Sequence, residues 1–193
     1  MGEKQKFPAA DALAIVRELL PFVHLHCQRL VIAGSLRRRR PQVGDIEILY
    51  IPKIGKAPDP GDLFGKLVEV SETDRAIERL IANRILVKRQ KINGSETWGA
   101  QNKLAVHQAS GIPVDLFATT EEFWFNYLVC RTGGAINNTN IAASAKAHGW
   151  QWNPYGPGFS RPSGLGREIH KIASEREVFE FVRMPYLEPW ERP

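Results

Sequence analysis

Cysteine is scarce in this chain. Its two cysteines, Cys27 and Cys130, lie far apart and outside any CxxC pair or His/Cys cluster. That spacing excludes a disulfide framework and offers no zinc pattern. Long apolar runs are missing as well: none approaches the roughly 20 residues of a membrane-spanning helix. The N-terminal MGEKQKFPAAD has no signal-peptide core. Internal repeats and low-complexity segments are also lacking. These absences point to a globular, cytoplasmic protein with no membrane partner. The 193 residues suit one domain or two small subdomains packed together. The net charge of +5 is a mild basic excess, common among nucleic-acid binders without diagnosing them.

The apolar pattern mixes helix and strand. Residues 9–20 carry apolar side chains at helical spacing, after Pro8 and before Pro21, which is expected to end or kink the helix. Residues 30–33 (LVIA) and 44–51 (GDIEILYI) are expected as strands, with a loop or helical turn at 37–41. A Pro/Gly-rich loop (PKIGKAPDPG) and a mostly helical stretch over 62–84 follow. Residues 86–91, 103–108 and 113–118 suggest three antiparallel strands, with a tight turn at Asn93-Gly94. The character changes after Ala118. Helices are expected at 121–130, about 137–148 and about 174–183, around a TGG break at 132–134 and a Gly/Pro/aromatic-rich stretch at 149–168.

The stretch GSLRRRRPQVGDIEIL, residues 34–49, carries the chemistry. Asp45 and Glu47 on one strand would project from the same face, roughly 7 Å apart along the backbone. Two such carboxylates repel unless a cation lies between them. Asp115 lies between Val114 and Leu116 on another expected strand. If the two strands are neighbours, three carboxylates converge, an all-oxygen set suited to Mg²⁺ or Mn²⁺. Two ions about 3.5–4 Å apart serve in-line displacement at phosphorus. A Gly34-Ser35 turn offers backbone N–H groups to phosphate, and a following arginine neutralises charge. Each part alone is common: D-x-E is a frequent strand pattern, and an arginine run is usually a solvated or phosphate-contacting surface. The ordered combination is more specific.

That combination resembles the nucleotidyltransferase superfamily typified by DNA polymerase beta, with its h-G-[GS], spacer, D-h-[DE]-h signature. GSLRR followed by DIE, then PVDLF, CRTGGAINN and SEREVFEFVRMPYLEPWERP, extends the resemblance to family X DNA polymerases along essentially the whole chain. The resemblance implies an α+β fold: a nucleotidyltransferase palm over 1–118, a mixed or antiparallel sheet with helices on one face, plus a small α/β thumb over 119–193. It implies a minimal palm-plus-thumb form, without the family's lyase and fingers domains. Asp45, Glu47 and Asp115 would bind two Mg²⁺ ions, for which Mn²⁺ can substitute. Asp115 would help activate a primer 3′-hydroxyl. Ser35 and Arg38 would contact the triphosphate beside the Gly34-Ser35 backbone, and Lys6 would reach its outer phosphates. Gly133, Asn138 and Tyr155 would shape the nucleotide pocket, Asn138 against the minor-groove edge of the base.

The chain departs from the family at several positions. Glu47 replaces the usual Asp. Cys130-Arg131 stands where Tyr-Phe is common, so a yielding loop there would screen the sugar weakly and admit ribonucleotides. Thr139 and Ala142 replace basic residues near the template, and Pro113 replaces a basic residue often found two before the third Asp. His24 and His26 are expected as structural or solvated, His107 as exposed, and Asn137–Asn140 as a helix cap. Trp98, Trp150 and Trp152 suit base stacking or core packing.

The leading expectation is a DNA polymerase that extends a primer–template or gapped DNA with dNTPs, acting as a monomer, with DNA repair as its setting. A nucleotidyltransferase working without template, or on RNA, a small molecule or a protein, is the alternative. A binding module that kept the fold is the third reading, which the three intact carboxylates oppose.

Overall fold

The computed structural model describes residues 5–59, 61–62, 64–90, 94–164 and 166–193. The Asn93 half of the expected tight turn lies outside the described residues.

The first half runs β1 (Phe7–Pro8), α1 (Ala9–Val23), β2 (Cys27–Ile32), α2 (Gly34–Arg37), β3 (Gln42–Val43) and β4 (Ile46–Pro52). It continues with β5 (Ile54–Pro58), β6 (Leu67–Ser71), α3 (Glu72–Ala82), β7 (Leu86–Lys88), β8 (Asn102–His107) and β9 (Pro113–Ala118). The second half holds α4 (Trp124–Thr132), α5 (Ala135–Ala147), β10 (Gln151–Trp152), β11 (Gly158–Ser163), β12 (Gly166–Lys171) and α6 (Glu175–Phe181). The architecture is mixed α+β.

A sheet ordered β2-β4-β9-β8-β7 organises the first half. Strands β4 and β9 are parallel at its centre, and the remaining pairs are antiparallel. Central strands are covered on both faces, so β4 is a near-continuous apolar run. Its even positions Ile46, Ile48 and Tyr50 join Val114 and Leu116 in a core with the buried stripe of α1, Ala12, Ile15, Val16, Leu19 and Val23. Its odd positions Leu49 and Ile51 face the other way and pack with Phe117 against Trp124, Tyr127 and Leu128 of α4. Helices therefore cover both faces of this sheet, not one. The odd-numbered face is the one that carries Glu47 and Asp115.

Several local expectations are corrected. Pro21 does not end α1: it is exposed in the last turn, and the helix runs on to the buried Val23. The PKIGKAPDPG segment and the start of 62–84 form an antiparallel hairpin, with Ile54 opposite Ser71 and Pro58 opposite Leu67, and only then does α3 begin. Ser71 supplies the stop and start together, its Oγ accepting from Asp74 N at 3.0 Å as an N-cap. The Gly/Pro/aromatic-rich stretch 149–168, for which no strand is expected, supplies most of the antiparallel sheet β10-β11-β12. That sheet packs with α4, α5 and α6 around Val129, Ile141, Phe159, Val178 and Phe179.

Candidate active site

Parallel pairing of β4 with β9 sets Glu47 directly opposite Asp115. Residues 44 and 45 precede β4, so Asp45 stands just before the strand and not on it. Its charge acts on Glu47 from that position. Burial, then the nearby charge of Asp45, with a smaller contribution from Asp115, raises the Glu47 carboxyl to about 7; Arg131 and Arg38 oppose the rise.

The Gly34-Ser35 turn closes over Glu47. Ala33 N donates to Glu47 O at 2.8 Å, fixing the turn to β4. Gly34 has φ +61°, and a Cβ there would lie 2.1 Å from Glu47 Oε2. Only glycine permits both the backbone conformation and this close approach. Ser35 Oγ is buried without a hydrogen-bond partner, which leaves a polar group for an incoming ligand. Lys6 is exposed; the antiparallel pairing of Phe7 with Val43 brings it alongside Gly44 and Asp45.

Three cations flank the acids. Arg89 Nη2 contacts Asp115 Oδ1 at 2.9 Å and Oδ2 at 3.1 Å. It supplies, from the segment after β7, the positive charge that Pro113 cannot. Arg131 lies with its guanidinium 3.5 Å from the Phe117 ring centroid and 5.1 Å from that of Tyr155, its Nε buried and without a hydrogen bond. Arg38 is drawn below its usual range first by burial and then by Arg40 beside it, while Glu47 and Asp45 oppose the drop.

The arginine run reaches across to the second half of the chain. Arg37 Nη1 donates to Thr132 Oγ1 at 2.7 Å, and its two guanidinium nitrogens take the two oxygens of Glu175. Arg38 Nη1 donates to Thr132 O at 2.6 Å, Arg39 lies 4.2 Å over the Trp190 ring, and Arg40 Nη2 donates to Arg192 O at 2.7 Å. Arg192 is fully buried and completes the set through a 2.8 Å ion pair with Glu175 Oε2. The run, expected as a solvated or phosphate-contacting surface, makes contacts that join the Gly-Ser turn to α4, α6 and residues 190–192.

The segment after α4 is packed, which corrects the expectation of a yielding loop and removes the argument for easy ribonucleotide entry. Asn138 Nδ2 donates to Cys130 O at 2.9 Å. A Cβ on Gly133 would meet Asn137 Nδ2 at 2.4 Å and Asn138 Oδ1 at 2.7 Å. Gly134 N donates to Pro193 O at 3.1 Å. Burial pushes the Cys130 thiol up, opposed by its hydrogen bond with Tyr155. Tyr155 meets Tyr127 edge-on, with ring centroids 5.2 Å apart. Asn126, unmarked in the sequence, fixes this loop: Nδ2 donates to Asn153 O and Gly156 O, and Oδ1 accepts from Trp152 Nε1 at 3.0 Å. Only its buried position on the apolar face of α4 could have signalled it.

The remaining candidates are structural. His107 is buried, with Nδ1 2.8 Å from Ser110 Oγ and Nε2 3.4 Å from Glu18, against the expectation of exposure. His26 Nε2 lies 3.1 Å from Arg79. Asn137–Asn140 lie inside α5 and do not cap it; the N-cap is Gly134. Trp150 packs edge-on against Phe181, and Trp98 Nε1 donates to Glu78.

As the side chains lie, no three His, Cys, Asp or Glu residues among the described ones are gathered to hold a metal ion. The donor set nevertheless suits a hard divalent cation in kind: it is all carboxylate oxygen, and the charges of Asp45 and Asp115 add to burial in raising Glu47. No helix among the described residues is long and apolar enough to cross a membrane.

Residues 127–193 match the family model described as DNA polymerase beta thumb. The match supports a relationship to family X polymerases and associates this part of the chain with DNA. No curated protein matches the chain.

Proposed function

We propose that the chain is a DNA polymerase of family X type, with residues 1–118 as palm and 119–193 as thumb, adding dNMP to a primer 3′-hydroxyl with release of pyrophosphate. The observation that carries this reading is the register pairing of Glu47 with Asp115 beneath the Gly34-Ser35 turn, joined to a segment matching a polymerase thumb.

In this reading Asp45, Glu47 and Asp115 hold Mg²⁺, which lowers the pKa of the attacking hydroxyl and neutralises phosphate charge when bound. Arg89 would hold Asp115 in place through one nitrogen, leaving further lone pairs on both carboxylate oxygens for the ion. The Gly34-Ser35 backbone and Ser35 Oγ receive phosphate oxygens. Arg38, already beside the acids, adds positive charge to that side. Lys6 approaches from the β1 side. Gly133, Asn138 and Tyr155 form the wall against which the nucleoside lies, with the Arg131 guanidinium clamped between that wall and Phe117. The arginine run holds the phosphate turn and the wall at one spacing, so nucleotide binding and alignment of the acids are mechanically linked.

The test is incubation with Mg²⁺ and labelled dNTPs on a primer–template, a gapped duplex and a bare single strand. Extension that follows the template sequence supports the reading. Extension of the bare strand alone, or none on any DNA, would transfer the site to untemplated or non-DNA nucleotidyl transfer.

A further inference from the structure

On the sheet β10-β11-β12 lies a cleft of about 440 Å³, lined in part by Gln151, Trp152, Asn153, Phe159, Ser160 and Arg167. Arg167 Nη2 donates to Gln151 Oε1 and to Ser160 Oγ, each at 2.9 Å. Both acceptors are neutral, so they orient the guanidinium without cancelling its charge. Other cations of the sheet are neutralised: Arg161 pairs with Glu168 at 2.7 Å, and Lys171 with Glu122 at 2.8 Å. Among the described residues no carboxylate pairs with Arg167. Its partners come from β10 and β11, so three strands cooperate to aim one uncompensated cation at a concave surface.

The cleft is joined to the candidate active site through one short segment of chain, residues 151–155. Asn153 lines it, and Asn126 holds Asn153 O while its side-chain oxygen takes Trp152 Nε1. The same short loop carries Tyr155 to Arg131 and Cys130. Residues on one side of this segment line the cleft and Tyr155 on its other side reaches the candidate active site, so the two lie on neighbouring parts of the same fold.

We propose that the cleft binds a backbone phosphate of a DNA substrate strand through Arg167, with the Asn153 and Gln151 amides as neutral donors to the phosphate or sugar. This rests on the polymerase reading. One guanidinium matches a singly charged phosphodiester; a di- or triphosphate would call for more cations than the cleft offers.

The test is fluorescence anisotropy with labelled gapped duplex and labelled single strand over a salt series, without metal or dNTP. Arg167→Gln is expected to flatten the slope of log K against log salt by about 0.7–0.9, the loss of one phosphate contact. Gln151→Glu, which keeps Arg167 but gives it a carboxylate, is expected to flatten it in the same direction. Arg17→Gln, an equal loss of charge on the exposed face of α1, should leave the slope unchanged. An Arg167→Gln slope equal to that of wild type would overturn the proposal while leaving the polymerase reading intact. Loss of dTMP binding in Arg167→Gln with an unchanged DNA slope would assign the cleft to free nucleotide and overturn it too. Wild-type protein that binds no DNA would sink both readings together.

Discussion

Arg37 and Glu175, 138 positions apart, form a two-pronged ion pair, Nη1 to Oε2 at 3.0 Å and Nη2 to Oε1 at 2.5 Å. Glu175 also holds Arg192, whose side chain is fully buried. Removing one partner of a buried pair leaves the other charge uncompensated. Arg37→Ala should therefore cost about 2–4 kcal/mol in urea unfolding. Glu175→Ala should cost more, because it strands two arginines. Equal, sub-kilocalorie losses for both would show that the network is solvated in solution and fixes nothing.

Glu47 should trade stability for function. Its folded-state carboxyl is raised from the ordinary 4.5 to about 7. The native state thus holds the proton more tightly than the unfolded state across that window, and stability falls as pH rises through it. Glu47→Gln removes the cost of the buried charge. Its Tm should exceed that of wild type at about pH 8, by an amount on the order of 2 kcal/mol in stability. The gain should shrink towards zero at about pH 3.5, below the ordinary value, where the carboxyl is largely protonated in both states. A Tm lowered at both pH values would mean that the Glu47 charge is well compensated in the native protein.

Gly34→Ala combines two penalties. A left-handed φ costs a non-glycine residue roughly 1–2 kcal/mol, and the added Cβ would press on Glu47 Oε2. The carboxylate must move, so nucleotidyl transfer should fall by at least about tenfold in kcat while circular dichroism stays unchanged. Wild-type kcat in this variant would show that the Glu47 position tolerates displacement.

Much of the site was legible because strands alternate. The D-h-E-h and V-D-L patterns set acids among buried apolar residues, and only a shared sheet face makes that tolerable, so the Glu47–Asp115 juxtaposition could be anticipated. Its cations could not. Arg89 reaches Asp115 through the β7-β8-β9 register, and Arg131 is held by Phe117 from another element; neither partnership has a local signature. The arginine run was conspicuous, yet its partners Thr132, Glu175, Trp190 and Arg192 lie far along the chain, and a solvated surface fitted the composition equally well. The β5-β6 hairpin and the sheet β10-β11-β12 were missed because Gly55 and Pro58 interrupt β5, Gly158 and Pro162 interrupt β11, and the short partner strands pair only through tertiary context.

The central claim is that Asp115 works on the primer hydroxyl as part of a polymerase site. The most direct measurement is single-turnover extension of a primer–template in Mg²⁺ by wild type and by Asp115→Asn, which keeps the shape of the side chain beside Arg89. Wild type should extend the primer as the template directs. The variant should run at less than a few per cent of that rate, with an unchanged circular dichroism spectrum and nucleotide binding largely retained. Wild type without activity on any DNA substrate, or a folded Asp115→Asn extending at a rate comparable to wild type, would contradict the claim.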